Sequence, residues 1–330
     1  MLERGTQKAS LSYNLSRSEM NIYPPMIQGV SPMSSTTVES KSVENENWPG
    51  ELVENAYGKS RVRLSKISRR DDRHELDEIS INIQLQGDFA GAYITGDNSQ
   101  IVATDSMKNT VYVLAAKNDI GGVEKFGKLL AKHFLDKYKQ TESCTVTLAK
   151  ELWQRIDAGG KPHQHAFYGA GSEKRSAVIS ATRKSVEVIS HIEGLQLAKT
   201  TDSEFHGFVR DEYTTLPEVK DRIFGTSVDC RWKYVGTEGI DYTACYEAVR
   251  SIIFEVFAAH KSLGVQHTMH EIGQIALARR PEISEIKMTM PNQHRIPFNL
   301  KPFGVEDKNE VFILTDEPYG LISATIRRKS

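Results

Sequence analysis

Two alternations open the patterned part of the chain. Val62 and Leu64 alternate with Arg61, Arg63 and Ser65, and Ile79, Ile81, Ile83 and Leu85 alternate strictly with polar partners. Period two predicts half-buried strands, one face toward a core and the other toward water. The period then lengthens. Met107, Val111, Leu114 and Ala115 recur at helical spacing, as do Val123, Phe126, Leu130 and Phe134, which predicts two helices before Tyr138. Strands are expected around Thr145–Leu152 and Ser176–Val188. The second half repeats this order without repeating the sequence. Leu195 and Leu197 begin one strand, and Cys230, Trp232 and Tyr234 form another. Helices cover Tyr242–Lys261 and Gln266–Arg279, parted by Gly264 and stopped by Pro281, and strands near Ile286–Met290 and Leu321–Ile326 close the unit.

Strand–strand–helix–helix–strand–strand, twice, with one-sided alternation, predicts an α+β protein. It would hold two tandem units of antiparallel sheet with helices packed on one face, over residues 51–190 and 191–330. Such sheets leave open edges, and side-by-side assembly into a closed ring would cover them. Residues 1–50 follow no period. They hold nine serines and four of the 11 prolines, and a disordered leader is expected there.

Composition narrows the function. The 330 residues carry 42 basic and 43 acidic side chains, a net charge of −1, which speaks against a general nucleic-acid surface. The longest apolar stretch, Ile252 to Ala259 with Glu255 inside it, is far short of the roughly 18 residues a membrane span needs. Cys144, Cys230 and Cys245 are too few and too scattered for a disulfide framework or a zinc cluster. Neither a dinucleotide glycine motif, a phosphate loop nor a serine-hydrolase elbow occurs. Gly169-Ala170-Gly171 reads as a hairpin turn. His163 and His165, two apart, and His267 and His270, three apart, lack a further ligand at suitable spacing, so no metal is expected.

Three segments hold candidate chemistry. Ile101-Val102-Ala103 runs into Thr104-Asp105-Ser106 at a helix start, where free backbone N–H groups suit an anionic or acceptor-rich ligand. An ordinary N-cap fits the same residues. Phe205-His206-Gly207-Phe208 leads through Arg210-Asp211-Glu212-Tyr213-Thr214-Thr215-Leu216 to Asp221-Arg222. An aromatic followed by an arginine can stack on and pair with a flat polar ring; core packing plus a surface ion pair is the alternative. The third segment is Leu263-Gly264-Val265-Gln266, joined later by Pro291-Asn292-Gln293-His294.

With Tyr57-Gly58-Lys59, these segments resemble the urate oxidase (uricase) family, from about Tyr57 to Arg327. The resemblance implies the tunnelling fold (T-fold) and a homotetramer whose sites are shared between subunits. It also implies oxidation of urate by O₂ and water to 5-hydroxyisourate and hydrogen peroxide, with no metal or organic cofactor. Phe205 would stack on the purine, with Leu216 beside it. Arg222 would pair with one edge through its planar fork. Gln266 would take the pyrimidine edge by its side chain and Val265 by its backbone, and Thr104 and Asp105 would offer N–H groups from a neighbouring subunit. Lys59, Thr104 and His294 would handle protons, and Asn292 with Thr104 would hold O₂ and then water. A lysine with its ordinary pKa of about 10.4 is protonated at neutral pH, so Lys59 would need its partners to act as a base. A purine- or pterin-handling lyase or hydrolase of the same fold, and a catalytically silent purine binder, are the alternatives. The chain ends in Arg327-Arg328-Lys329-Ser330 rather than Ser-Lys-Leu, so a cytoplasmic location is expected rather than a peroxisomal one.

Overall fold

Ile79, Ile81, Ile83 and Leu85 are each at most 3% exposed, whereas Asn82 and Gln84 between them line a hollow on the opposite face of the strand. That division recurs along the sheet. The computed structural model describes residues 49–329, so the leader expected over residues 1–50 lies almost wholly outside the described residues.

The first unit comprises β1 (Tyr57–Arg69), β2 (His74–Gly87), α1 (Ala90–Ile94), α2 (Thr104–Lys117), α3 (Val123–Lys137), β3 (Thr141–Ala158) and β4 (Lys161–Thr182). The second comprises β5 (Val186–Lys199), β6 (Phe224–Tyr234), α4 (Tyr242–Ala259), α5 (Val265–Arg279), β7 (Ile283–Thr289) and β10 (Ser323–Arg327). A hairpin of β8 (Asn292–Pro297) and β9 (Phe312–Gly320) is inserted before β10. The order read from the sequence is therefore present twice. All pairings among these strands are antiparallel, and the fold is α+β with two tandem T-fold units.

The two units share one continuous sheet, ordered β1-β2-β3-β4-β5-β6-β7-β10. Register carries a buried row across it: Ile83 faces Val146, Val146 faces Ile179, and Ile179 faces Val188. Against these pack Met107 and Val111 of α2 and Phe126, Leu130 and Phe134 of α3, all at most 1% exposed. The second core gathers Val228, Cys230 and Trp232 of β6 with Ile252 and Ile253 of α4 and Met269 and Ile272 of α5. The cores meet within β5, because Val188 belongs to the first and Ile192 to the second.

Two expectations need correction. The strand expected over Ser176–Val188 is the end of β4, a turn and the start of β5. The Thr182 hydroxyl accepts from the N–H groups of Lys184 and Ser185 and reverses the chain between two apolar runs that look continuous in the sequence. The Gly169-Ala170-Gly171 run is not the hairpin turn. It lies inside β4, where pairing with β3 slips between Trp153↔Gly169 and Glu151↔Lys174, and Gly171 has φ +102°. The turn is made by Gly159 and Gly160, with φ +63° and +77°, the two positive values that a tight two-residue hairpin requires.

Candidate active site

Lys59 stands opposite Ile83, and directly paired residues share a face, so the lysine extends the buried row on the helix side of the sheet. Just beyond it the β1–β2 register slips. Arg61 takes φ +56°, and its N–H donates to Asn82 Oδ1 at 2.8 Å. Bulges of this kind re-aim a strand end. Two residues before Lys59, the Tyr57 hydroxyl accepts from the Val102 N–H at 2.7 Å, while its ring meets Phe89 edge-on at 4.8 Å. This anchor holds the approach to α2 above β1.

α2 then begins without a side-chain cap. Its N-cap is Ala103, and no side-chain oxygen receives the first N–H groups. The ordinary capping alternative for Thr104 and Asp105 is thus set aside. The Asp105 carboxylate turns instead to Lys108 and Asn109. The hydrogen bond and charge of Lys108 hold its carboxyl below the usual range, and the positive charge of Lys59 adds to the effect. Lys59 and Thr104 are half-buried, and the backbone donors at the helix start remain available to an acceptor.

A second group forms in the other unit. Phe205 and Val219 exchange backbone hydrogen bonds of 2.8 and 3.0 Å, which fold the loop between β5 and β6 on itself. Arg222 is thereby brought over the Phe205 ring, with Cζ 5.4 Å from the centroid. Phe208 stacks on Phe205 at 5.0 Å. Arg222 has no carboxylate partner among the described residues, and its buried Nε has no acceptor. Burial pushes the guanidinium's pKa down from its ordinary value. An unpaired, half-buried guanidinium is costly unless something else supplies acceptors. Leu216 is on the same loop but 53% exposed, so one chain alone does not pack it against the rest.

The same loop is stitched to the turn before α5. The Glu204 N–H donates to Ser262 O at 2.7 Å, and the Ser262 N–H donates to Asp202 O at 2.9 Å. That turn delivers Val265, which is buried, and Gln266, whose side chain is exposed, as the first residues of α5. β8 joins through the pairing Gly225↔Gln293, three residues beyond Arg222. It carries Asn292 and His294, both half-buried.

The predicted residues therefore fall into two groups. Lys59, Thr104 and Asp105 lie around β1 and α2, while Phe205, Leu216, Arg222, Val265, Gln266, Asn292 and His294 lie around the second unit. β1 and β6 are five strand spacings apart, about 24 Å at the usual separation. Along the sheet of one chain the two groups therefore stand well apart. Sequence reasoning missed the anchoring role of Tyr57, whose only signal is its period-two relation to Lys59, and missed the Arg61 bulge, which has none. No cluster of three or more His, Cys, Asp or Glu able to hold a metal occurs among the described residues. Nor is any helix there long and apolar enough to cross a membrane.

The family model described as Uricase matches residues 55–180 and 188–323. The uricase of Arthrobacter globiformis is 43% identical over 278 residues, covering 84% of this chain and 90% of that protein. The uricase of Dictyostelium discoideum is 38% identical over 280 residues, covering 84% and 97%. Among solved structures, the Arthrobacter globiformis uricase superposes with a TM-score of 0.80 at 43% identity, covering 85% of this chain and 96% of that one. A urate oxidase from Bacillus sp. TB-90 reaches a TM-score of 0.72 at 27% identity, covering 83% of this chain and all of that one.

Proposed function

This chain belongs to the uricase family, and from that premise we propose that it oxidises urate with O₂ and water to 5-hydroxyisourate and hydrogen peroxide, at a site made by two copies of the chain in a homotetramer. The observation that carries the reading is Arg222. A half-buried guanidinium with an orphaned Nε, set over an aromatic ring, is suited to a flat ligand with acceptors in its plane. Urate is such a ligand, and Gln266 supplies both a donor and an acceptor to a second edge.

The opposite edge is served by the uncapped start of α2, with Thr104 and Asp105 donating from the neighbouring copy. Lys59, held near that helix start, takes the proton from urate through the Thr104 hydroxyl, and His294 assists from the other side. The resulting dianion is electron-rich enough to give two electrons to O₂. Asn292 and Thr104 hold O₂ and then water above the ring. The oxygen of water adds at C5, and the reduced dioxygen leaves as H₂O₂ with the protons removed from urate and water. The separation of the two residue groups within one chain is the reason for requiring a second copy.

Oxygen consumption with urate, followed together with loss of the urate absorbance and appearance of peroxide, tests the activity. Consumption of urate without O₂ uptake would favour the lyase or hydrolase alternative. Binding without consumption would favour the silent binder.

A further inference from the structure

Glu204 precedes the ring-stacking candidate Phe205, and only 7% of it is exposed. Its two carboxylate oxygens are used in different directions. Oε2 pairs with His206 Nε2 at 2.8 Å, within the loop that carries Phe205. Oε1 pairs with Lys261 Nζ, on the turn between α4 and α5 that leads to Val265 and Gln266. Hydrogen bonds from Lys261 and then His206 hold the Glu204 carboxyl below its ordinary range, so it stays charged at neutral pH. Asp202 and Asp221 are the other charges facing Lys261.

The backbone beneath this carboxylate ties the same two segments. Ser203 and Ser262 form a parallel bridge, and both are fully buried. The Ser262 hydroxyl donates to Gly264 O at 3.1 Å and accepts from the Thr268 hydroxyl at 2.8 Å, which fixes the turn onto α5. On the other side, the Thr201 hydroxyl donates to the Asp221 carboxylate, next to Arg222. Glu204 thus sits where the segment bearing the aromatic and the segment bearing the amide cross.

We propose that Glu204 is a positioning residue for the oxidation reaction, setting the distance between Phe205 and Gln266 by clamping Lys261 and His206 at once. The proposal rests on Phe205 and Gln266 being urate contacts. The physical ground is that a mostly buried carboxylate, its orientation fixed by the His206 ring within its own loop, holds the Lys261 ammonium of the other segment in one geometry. The clamp touches neither the proton-handling residues nor the face of the ring that reacts. Its loss weakens contacts made alike in the bound substrate and the transition state, so KM carries the effect and kcat does not.

The test is a cycle of Glu204→Gln, Lys261→Met and the double variant in the full chain, with KM, kcat and thermal midpoint measured for each. Lys261 is largely exposed, so its replacement leaves folding intact. Each single variant should raise the KM for urate by about fivefold or more and keep kcat within about twofold, and the double variant should be no worse than the poorer single one. Unchanged KM in both single variants of an enzyme that oxidises urate normally would overturn the clamp alone. So would a loss of kcat that follows the thermal midpoint while KM stays constant, since that marks a merely structural carboxylate. KM effects that multiply in the double variant would likewise show that the two side chains do not act as one. A wild-type protein that does not oxidise urate would remove the functional reading itself, and this inference with it.

Discussion

Arg175 Nη2 meets Glu124 Oε2 at 2.8 Å between α3 and β4, where Glu124 is wholly buried and Arg175 nearly so. The pair sits on a polar seam between the two cores. The other oxygen of Glu124 accepts from the Ser190 hydroxyl of β5 at 2.7 Å, and that hydroxyl meets Tyr234 of β6 at 2.7 Å. Trp232 Nε1 also donates to the Tyr234 hydroxyl. The Arg175 guanidinium lies 4.7 Å from the centre of the Tyr246 ring of α4. Helices and strands of both units are therefore committed to one network.

Removing one member of the pair leaves the other charge stranded. Glu124→Leu or Arg175→Met alone should lower stability by about 3–5 kcal/mol, read as a shift in the urea midpoint. The double replacement should recover much of that loss, because it removes both desolvation penalties. Two independent, additive losses would contradict a coupled buried pair.

Sharing of the site between copies can be tested by complementation. Thr104→Ala and Arg222→Ala proteins should each be nearly inactive. Mixed oligomers of the two should regain activity, since some sites would combine an intact Thr104 with an intact Arg222. No recovery, with hybrids shown to form by mass, would put both residues on one chain.

Gly58 has no room for a side chain. A Cβ there would stand 1.8 Å from the Ile83 carbonyl oxygen and 2.9 Å from Gln84 Cα, both main-chain atoms. Gly58→Ala should therefore push the start of β1 off β2 and move Lys59 with it. Proton-transfer groups typically contribute about 10²–10⁴-fold, so a fall in kcat of at least about tenfold is expected, in a protein that retains its β circular dichroism. Near-normal kcat would remove Lys59 from its proposed role.

The three thiols are buried, and burial pushes Cys144 up to about 12 and Cys245 up to about 11, with Cys230 also raised. Native protein at pH 8 should react slowly with a thiol reagent and release three equivalents only on unfolding. A raised pKa in the folded state means that the native form holds protons the unfolded chain would release. Stability from these groups is full below the unfolded value near 9 and is lost as pH rises toward 11–12. An unfolding midpoint that fails to decline between pH 9 and 11 would count against this burial.

Much of the fold was legible because its signals are local. Ile79 to Leu85 announce their strand by period two, and Phe126, Leu130 and Phe134 announce their helix by spacing. The β8–β9 hairpin was not legible. Asn292 to Pro297 have no clean alternation, and the segment is held by pairing with Gly225 and with a partner strand some twenty residues away. The site divides in the same way. Arg222 and Phe205 were marked as a pair, and the loop that brings them together depends on reciprocal bonds with Val219. No spacing rule could show that Lys59, on β1, and Arg222, on the loop before β6, stand at separate places along one sheet.

β5 is a single strand with two owners. Val188 is buried in one core and Ile192 in the other, and its two edges pair with β4 and β6. A cut at residue 190 would sever that strand and leave each half-protein with an apolar, unzipped margin. Such halves should precipitate when made alone and become soluble when made together, so solubility itself holds the tandem halves to one polypeptide.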